Sequence, residues 1–150
     1  MSNTVYPNCA GRELVPIWPC TIHCDWMTPG FHPGLVSVIV PTYNRAQFIT
    51  GALDSVHAQR HRPIEVIVVD DGSTDNTENR VKEWARRHQC SSFDVQYLFQ
   101  ENAGPSAARN RGLITSCGEY IQFLDSDDQI HPQKLSIHVK AMEAHPSCDV

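Results

Sequence analysis

Four short apolar runs, each followed by a segment with helical periodicity, constrain the fold of this chain more than any other feature. The first run, Leu35–Val40, is rich in β-branched residues and is closed by Pro41, as expected for a strand buried on both faces. The later runs are Ile64–Val69, Val95–Phe99 and Tyr120–Leu124. Strands that alternate with helices usually pair in parallel, because each crossover helix returns the chain to the same edge of the sheet. The sequence therefore predicts an α/β fold, a mostly parallel sheet sandwiched by helices.

The segments between these runs carry helix signals. The predicted helices are Ala46–Gln59, a helix from about Asn76, Ser106–Ser116 and a last helix opened by Pro132. Asp75 can cap the second helix while Glu78 reaches back to it. Gly118 follows the third helix, where a left-handed terminus favours glycine. Each helix thus has a predicted place between two strands.

Composition changes near residue 34. Residues 1–34 hold five of the ten prolines and three of the six cysteines, with no regular period, and predict an irregular extension before a domain at 35–150. We expect reduced thiols, because the rest of the chain supplies a full hydrophobic core. Cys9, Cys20, His23 and Cys24 could alternatively close a zinc shell, although no Cys-x-x-Cys pair is present.

The charge of the chain argues against a nucleic-acid partner, and its hydropathy argues against a membrane-spanning segment. Twelve Lys and Arg against seventeen Asp and Glu give a net charge of -5, and no basic run could neutralise a phosphate backbone. We therefore expect no nucleic-acid partner. No stretch approaches the roughly 18 apolar residues of a membrane span. A cytoplasmic protein is the expectation, and association with a membrane through other regions or partners stays open.

Polar residues follow each predicted strand, at the edge where ligands bind in parallel sheets. The four loops are Pro41–Asn44, Asp70–Ser73, Asn102–Pro105 and Asp125–Asp128. In the last loop three carboxylates lie within four residues, a pattern that suits Mg²⁺ or Mn²⁺. An acidic turn that caps the next helix is the alternative.

The other loops leave similar alternatives open. Asp70 and Asp71 could accept a hydrogen bond from a base or ribose, or could simply belong to a turn with a helix cap at Ser73–Asp75. Tyr43 could stack on a base or lie at the rim, and Arg109 could face a diphosphate or solvent. The loop Pro41–Arg45 contains no glycine, so neither a dinucleotide fingerprint nor a Walker loop is present. A metal ion is therefore the natural candidate for holding phosphate.

Four motifs, taken in order, resemble the family 2 glycosyltransferases. They are Val36–Asn44, Val68–Asp75, Asn102–Gly112 and Phe123–Asp128, and the resemblance extends over about Leu35–Ala144. It implies the donor-binding half of a GT-A nucleotide-diphospho-sugar transferase fold and an inverting transfer of sugar from a nucleotide donor. The resemblance implies that domain 35–150 is truncated at its C-terminus.

Site residues follow from the resemblance by position. Pro41 and Tyr43 would line the base pocket together with Asn44, and Asp71 would hydrogen-bond the base. Asp125, Ser126 and Asp127 would form the Asp-x-Asp motif, with Asp127 or Asp128 as the ligand of Mn²⁺ or Mg²⁺. The metal would bridge the diphosphate, with Arg109 nearby.

The resulting prediction is metal-dependent sugar transfer, with inversion, from a nucleoside diphosphate sugar, most commonly linked to UDP, to an acceptor hydroxyl. The acceptor could be a saccharide, a lipid or a protein, and no residue can be identified as the catalytic base. The alternative is a non-catalytic nucleotide-sugar-binding module or a zinc-stabilised interaction module. A nucleotidyltransferase is disfavoured, because its glycine-rich phosphate loop is missing.

Overall fold

The computed structural model of the protein describes residues 32–145 and two short strands near the N-terminus, β1 (Tyr6–Pro7) and β2 (Glu13–Leu14). These two strands pair in antiparallel fashion. The candidate zinc ligands Cys9, Cys20, His23 and Cys24 lie outside the described residues. The zinc hypothesis and the domain boundaries therefore stay predictions.

Strands and helices alternate from His32 onward, as the sequence predicts. The elements are β3 (His32–Thr42), α1 (Ile49–His57), β4 (Ile64–Asp70), α2 (Thr77–His88), β5 (Phe93–Phe99), α3 (Pro105–Thr115), β6 (Gly118–Phe123) and α4 (Lys134–Ala144). The sheet has the order β5-β4-β3-β6 and every neighbouring pair is parallel. The predicted α/β architecture is confirmed.

The strand order places a switch point between β3 and β6. The chain first adds β4 and β5 on one side of β3 and then crosses to the other side with β6. Pro41 lies beyond the last pair of these two strands, Ile39 with Phe123, so its missing N–H interrupts no hydrogen bond between them. In open parallel sheets a crevice forms outside the carboxyl ends of strands at such a point.

Both faces of the sheet are covered, by different helices. Apolar residues of β3, β4 and β5 form the larger core with side chains of α1, α2 and α4, among them Leu53, Trp84 and Leu135. On the opposite face Ala108 of α3 packs against Ile67 and Val69. The near-continuous burial of β3 and β4 follows from this arrangement.

Two local predictions are wrong. Gly118 does not end a helix in the left-handed region; it is the first residue of β6, and an added Cβ would lie 2.4 Å from Ser37 Oγ. Glycine is required there because another strand approaches closely. Glu78 does not reach back to the start of α2, because its carboxylate pairs with Lys82. Asp75 does accept a 3.0 Å hydrogen bond from the backbone N–H of Thr77.

Two further expectations concern cysteines and membranes. Cys90 is a free, exposed thiol, whereas Cys117 is disulfide-bonded, so the expectation of reduced thiols is wrong for Cys117. Within the described part of the chain, no helix is long and apolar enough to cross a bilayer.

Candidate functional site

The loops after β3 and β4 are hydrogen-bonded to each other. The backbone N–H of Asn44 donates to Ser73 Oγ at 2.8 Å, and Asn44 Oδ1 accepts from the N–H of Thr74 at 2.8 Å. One residue later, the N–H of Arg45 donates to Thr77 Oγ1 at 3.1 Å. The Asn44 side chain, predicted to line the donor pocket, thus fixes the geometry of the two loops beside Tyr43.

Asn44 also adopts a backbone conformation that few residues tolerate. Its φ is 51°, in the left-handed region, where asparagine is several-fold enriched among residues other than glycine. We expect Asn44→Ala to lower the free energy of unfolding by about 2 kcal/mol, because both the amide acceptor and the conformational tolerance are lost. Urea denaturation measures the change.

Asn44→Gly is the matched control for this prediction. Glycine tolerates the positive φ but lacks the acceptor for Thr74, so the expected loss is about half that of the alanine variant. Equal losses in the two variants would show that the backbone conformation of Asn44 contributes nothing to stability.

Asp70, the last residue of β4, is fully buried and has a structural role. Its Oδ2 accepts a 2.6 Å hydrogen bond from the hydroxyl of Tyr97, and its Oδ1 accepts from the N–H of Ser73 at 2.7 Å. Burial, together with the hydrogen bond to Asp70, raises the pKa of Tyr97. The neighbouring Asp71 therefore remains the better candidate for contact with a ligand.

Asp71 holds the loop that precedes α3. Its Oδ1 accepts hydrogen bonds from Gln100 Nε2 at 2.7 Å and from the N–H of Ala103 at 2.9 Å, and its Oδ2 accepts from the N–H of Gly104 at 2.8 Å. Burial alone would raise the pKa of Asp71, but these three hydrogen bonds outweigh it and hold the pKa below its ordinary value. The side chain stays charged at neutral pH.

The acidic loop after β6 faces two arginines. Arg109 Nη2 on α3 lies 2.6 Å from Asp125 Oδ1, and Arg45 Nε lies 3.7 Å from Asp127 Oδ2. Both pairs are well exposed, so each contributes little to stability and can be exchanged for a ligand at low cost. The carboxylate of Asp128 is also exposed.

A cavity of about 280 Å³ opens beside this loop. Its charged lining consists of Arg109, Asp125, Asp128 and Lys134, and Phe123 adds an aromatic surface. The volume is slightly below the roughly 300–1,000 Å³ typical of ligand pockets. It suits one small polar unit rather than a whole dinucleotide.

The acidic loop fits a cation that is shared with a ligand. In the described parts of the chain, no group of three or more His, Cys, Asp or Glu side chains is arranged to hold a metal. Mg²⁺ in phosphate sites needs only one or two carboxylates, because phosphate oxygens and water complete its shell. The exposed carboxylates of Asp127 and Asp128 meet that requirement.

The structure brings the predicted residues to one edge of the sheet. Tyr43 and Asp71 follow the neighbouring parallel strands β3 and β4, and Asp125 follows β6, which is parallel to β3 on its other side. Sequence reasoning missed the contacts of Arg45 and Gln100, and it missed Lys134. Lys134 could have been found from the sequence. A cation in the first turn of a helix interacts unfavourably with the helix dipole, so a lysine there indicates a role other than stabilising the helix.

Comparison with known proteins identifies relatives for most of this region. The model of glycosyl transferase family 2 matches residues 37–150. An uncharacterized glycosyltransferase of Rickettsia felis is 39% identical over 112 residues, covering 75% of this chain and 18% of the relative. The glycosyltransferase GlyA of Streptococcus pneumoniae is 44% identical over 95 residues, covering 63% of this chain and 13% of the relative. The chain therefore spans only a small part of these relatives.

Solved structures share the fold. The crystal structure of S. aureus TarS 1-349 in complex with UDP-GlcNAc has a TM-score of 0.65 at 38% identity, over 74% of this chain and 32% of that one. The mannosyltransferase PcManGT from Pyrobaculum calidifontis, in complex with GDP-Man and Mn²⁺, has a TM-score of 0.65 at 31% identity, over 75% and 33% of the two chains.

Proposed function

Because the chain belongs to glycosyltransferase family 2 and has the GT-A type of fold, we propose that residues 32–145 bind the donor of a sugar-transfer reaction. The donor is a nucleoside diphosphate sugar, with UDP as the first candidate. The sugar passes, with inversion, to the hydroxyl of an acceptor, which is a saccharide, a lipid or a protein.

The observation that carries this proposal is the convergence of three loops at one edge of the sheet. The loops after β3 and β4 are hydrogen-bonded together beside Tyr43, and the acidic loop after β6 is joined to α3 by the 2.6 Å pair of Arg109 and Asp125. An aromatic and a buried carboxylate on one side suit a base, and a cation with exposed carboxylates on the other suits a diphosphate and its metal.

Each residue has a role in this proposal. Tyr43 and Pro41 border the base, Asp71 accepts its N–H, and Arg109 neutralises charge on the diphosphate. Asp127 and Asp128 would hold Mg²⁺ or Mn²⁺, which, when bound, stabilises negative charge on the leaving nucleotide. The cavity beside Asp125 and Lys134 has room for the sugar unit.

The relatives support the donor assignment, since one is seen with UDP-GlcNAc and another with GDP-Man and Mn²⁺. Inversion requires a base that removes the proton from the acceptor hydroxyl. We assign no described residue to that role. No observation on the described residues favours the zinc-stabilised module, and a cytoplasmic location stays a prediction.

Calorimetric titration of UDP, with Mn²⁺ and then with a chelator, tests the proposal. We expect the parent chain to bind UDP about tenfold more weakly once the metal is removed, and Asp127→Ala to bind weakly in both conditions. Glu83→Ala removes an exposed carboxylate on α2 and is the matched control; it should bind like the parent. Equal metal-dependent binding by Asp127→Ala would contradict the metal assignment, and no UDP binding by the folded parent would contradict the donor site.

A further inference from the structure

Asp71 is held by hydrogen bonds within the protein itself. Its side chain is 4% exposed, and its three hydrogen-bond donors all belong to the segment from Gln100 to Gly104. That segment follows β5, whereas Asp71 follows β4, so the contact joins two loops that are about 30 residues apart along the chain. A residue that only recognised a ligand would not need these donors.

The segment held by Asp71 is the start of α3. Gly104 is the N-cap of α3 with a φ of 90°, and as a glycine it has no side chain with which to cap the helix. The carboxylate of Asp71 instead accepts the N–H of Gly104 itself at 2.8 Å, one of the N–H groups at a helix start that have no acceptor within the helix. A negative charge at this end of a helix is also favoured by the helix dipole.

α3 carries Arg109, the arginine that pairs with the acidic loop. Arg109 is the fifth residue of α3, and its guanidinium reaches Asp125 at 2.6 Å. The helix is packed closely on the sheet, because a Cβ at Gly112 would lie 2.4 Å from Ile39 Cγ2. A helix seated in this way transmits a displacement at its N-terminus to the side chains of its next turn.

We propose that Asp71 is a positioning residue: by fixing the N-terminus of α3, it sets the position of Arg109 and so couples the base pocket to the diphosphate side of the site. This inference rests on the proposed donor-binding function. It adds a second role for Asp71, which acts on the diphosphate without touching it. The expected contact between Asp71 and the base is retained.

The two roles are compatible on one side chain. An ionised carboxylate offers about four acceptor positions, and the segment from Gln100 to Gly104 uses three of them. One position remains, next to the hydrogen bond on Oδ2, for the N–H of a base. Base binding therefore need not release α3.

Manganese pyrophosphate is a probe that separates the two roles, because it has the metal and the diphosphate but no base. We expect Asp71→Asn to weaken binding of manganese pyrophosphate about tenfold, since the amide group cannot accept all three hydrogen bonds and Arg109 shifts. Unchanged binding of this probe, together with weakened binding of uridine, would show that Asp71 is only a base ligand and would overturn the proposal.

Two further variants serve as controls, one for the loss of a carboxylate in this loop and one for the loss of a single hydrogen-bond donor. Glu101→Gln makes the same change of carboxylate to amide at an exposed position of the same loop, and it should bind the probe within twofold of the parent. Gln100→Ala removes one of the three donors and keeps the carboxylate, so it should weaken binding less than Asp71→Asn does. If Asp71→Asn fails to fold, Gln100→Ala decides: binding equal to that of the parent overturns the proposal.

Amide hydrogen exchange tests the positioning role without any ligand. We expect the N–H groups of Ala103 and Gly104 to exchange at least about tenfold faster in Asp71→Asn than in the parent or in Glu101→Gln. If the parent binds no manganese pyrophosphate, the proposed function fails. The exchange rates still test whether Asp71 fixes the N-terminus of α3. Equal exchange rates of these N–H groups in the parent and in Asp71→Asn would overturn the positioning role of Asp71.

Discussion

Gly112→Ala is expected to lower the free energy of unfolding by about 2 kcal/mol, although alanine is the better helix former. Gly112 lies in α3, buried against β3, and an added Cβ would lie 2.4 Å from Ile39 Cγ2 and 3.3 Å from Val69 Cγ2. Both neighbours are fully buried side chains of the sheet. Overpacking of this kind typically costs 1–3 kcal/mol, which exceeds the gain of about 1 kcal/mol in helix propensity.

Gly51→Ala is the matched control, because it places the same residue in the first turn of another helix. Its added Cβ would lie 3.2 Å from Nε2 of Gln129, the end of an exposed and flexible side chain that can move away. We expect a change between zero and a gain of about 1 kcal/mol. Urea denaturation of both variants measures the difference, and a Gly112→Ala protein as stable as Gly51→Ala would refute the close packing of α3.

The contrast between these glycines shows what the sequence can and cannot reveal. Alternation of apolar runs with helical stretches predicts the α/β fold, because strand and helix periods are local properties of the chain. The need for glycine at Gly112 or Gly118 is not local. Gly118 donates to Ser37 Oγ, 81 residues earlier in the chain, and only the assembled sheet brings the two together.

The same limit applies to the candidate site. The sequence places polar loops after each strand, and their convergence follows from parallel pairing alone. It could not tell which carboxylates hold the fold together. Asp70 bonds to Tyr97 and Asp71 to the start of α3, and those partners lie 27 to 33 residues away in the chain. Because Asp70 and Asp71 have the same local sequence pattern, that pattern alone predicts the same role for both.

The second large expected effect on stability concerns Asp94. Its pKa is shifted in the opposite direction to that of Asp71. Asp94 is 3% exposed on β5, directly opposite the buried Glu65 of β4. Burial, together with the negative charge of Glu65, raises the pKa of Asp94 to about 6. The hydroxyl of Ser37 and the N–H of Cys117 donate hydrogen bonds to Glu65.

The raised pKa of Asp94 predicts how stability varies with pH. The folded chain binds this proton more tightly than the unfolded chain, in which the carboxyl has its ordinary value of 3.8. The contribution of Asp94 is therefore most favourable below about pH 4 and falls by roughly 2–3 kcal/mol as the pH rises to about 6. Above that pH both states are ionised and the contribution stays level.

Asp94→Asn is expected to raise the free energy of unfolding at pH 7.5 by about 1–2 kcal/mol, because an amide is neutral beside Glu65 and can still accept the hydrogen bond from Gln89. Its stability should no longer decline between pH 4 and 6. Asp71→Asn, by contrast, should destabilise the protein at pH 7.5. The lowered pKa of Asp71 gives stability that is present above pH 3.8 and is lost as the pH falls through the folded pKa.

Urea denaturation of the parent and both variants across pH 3–8 measures these contributions. Asp71 and Asp94 are almost equally inaccessible to solvent, but their pKa values are shifted in opposite directions: three donors keep Asp71 charged, whereas burial and then the charge of Glu65 oppose the ionisation of Asp94. Loss of stability at pH 7.5 in Asp94→Asn would show that the carboxyl is needed there as a hydrogen-bonding group. In that case neither the burial of the Asp94 charge nor its repulsion from Glu65 would limit the stability of this part of the sheet.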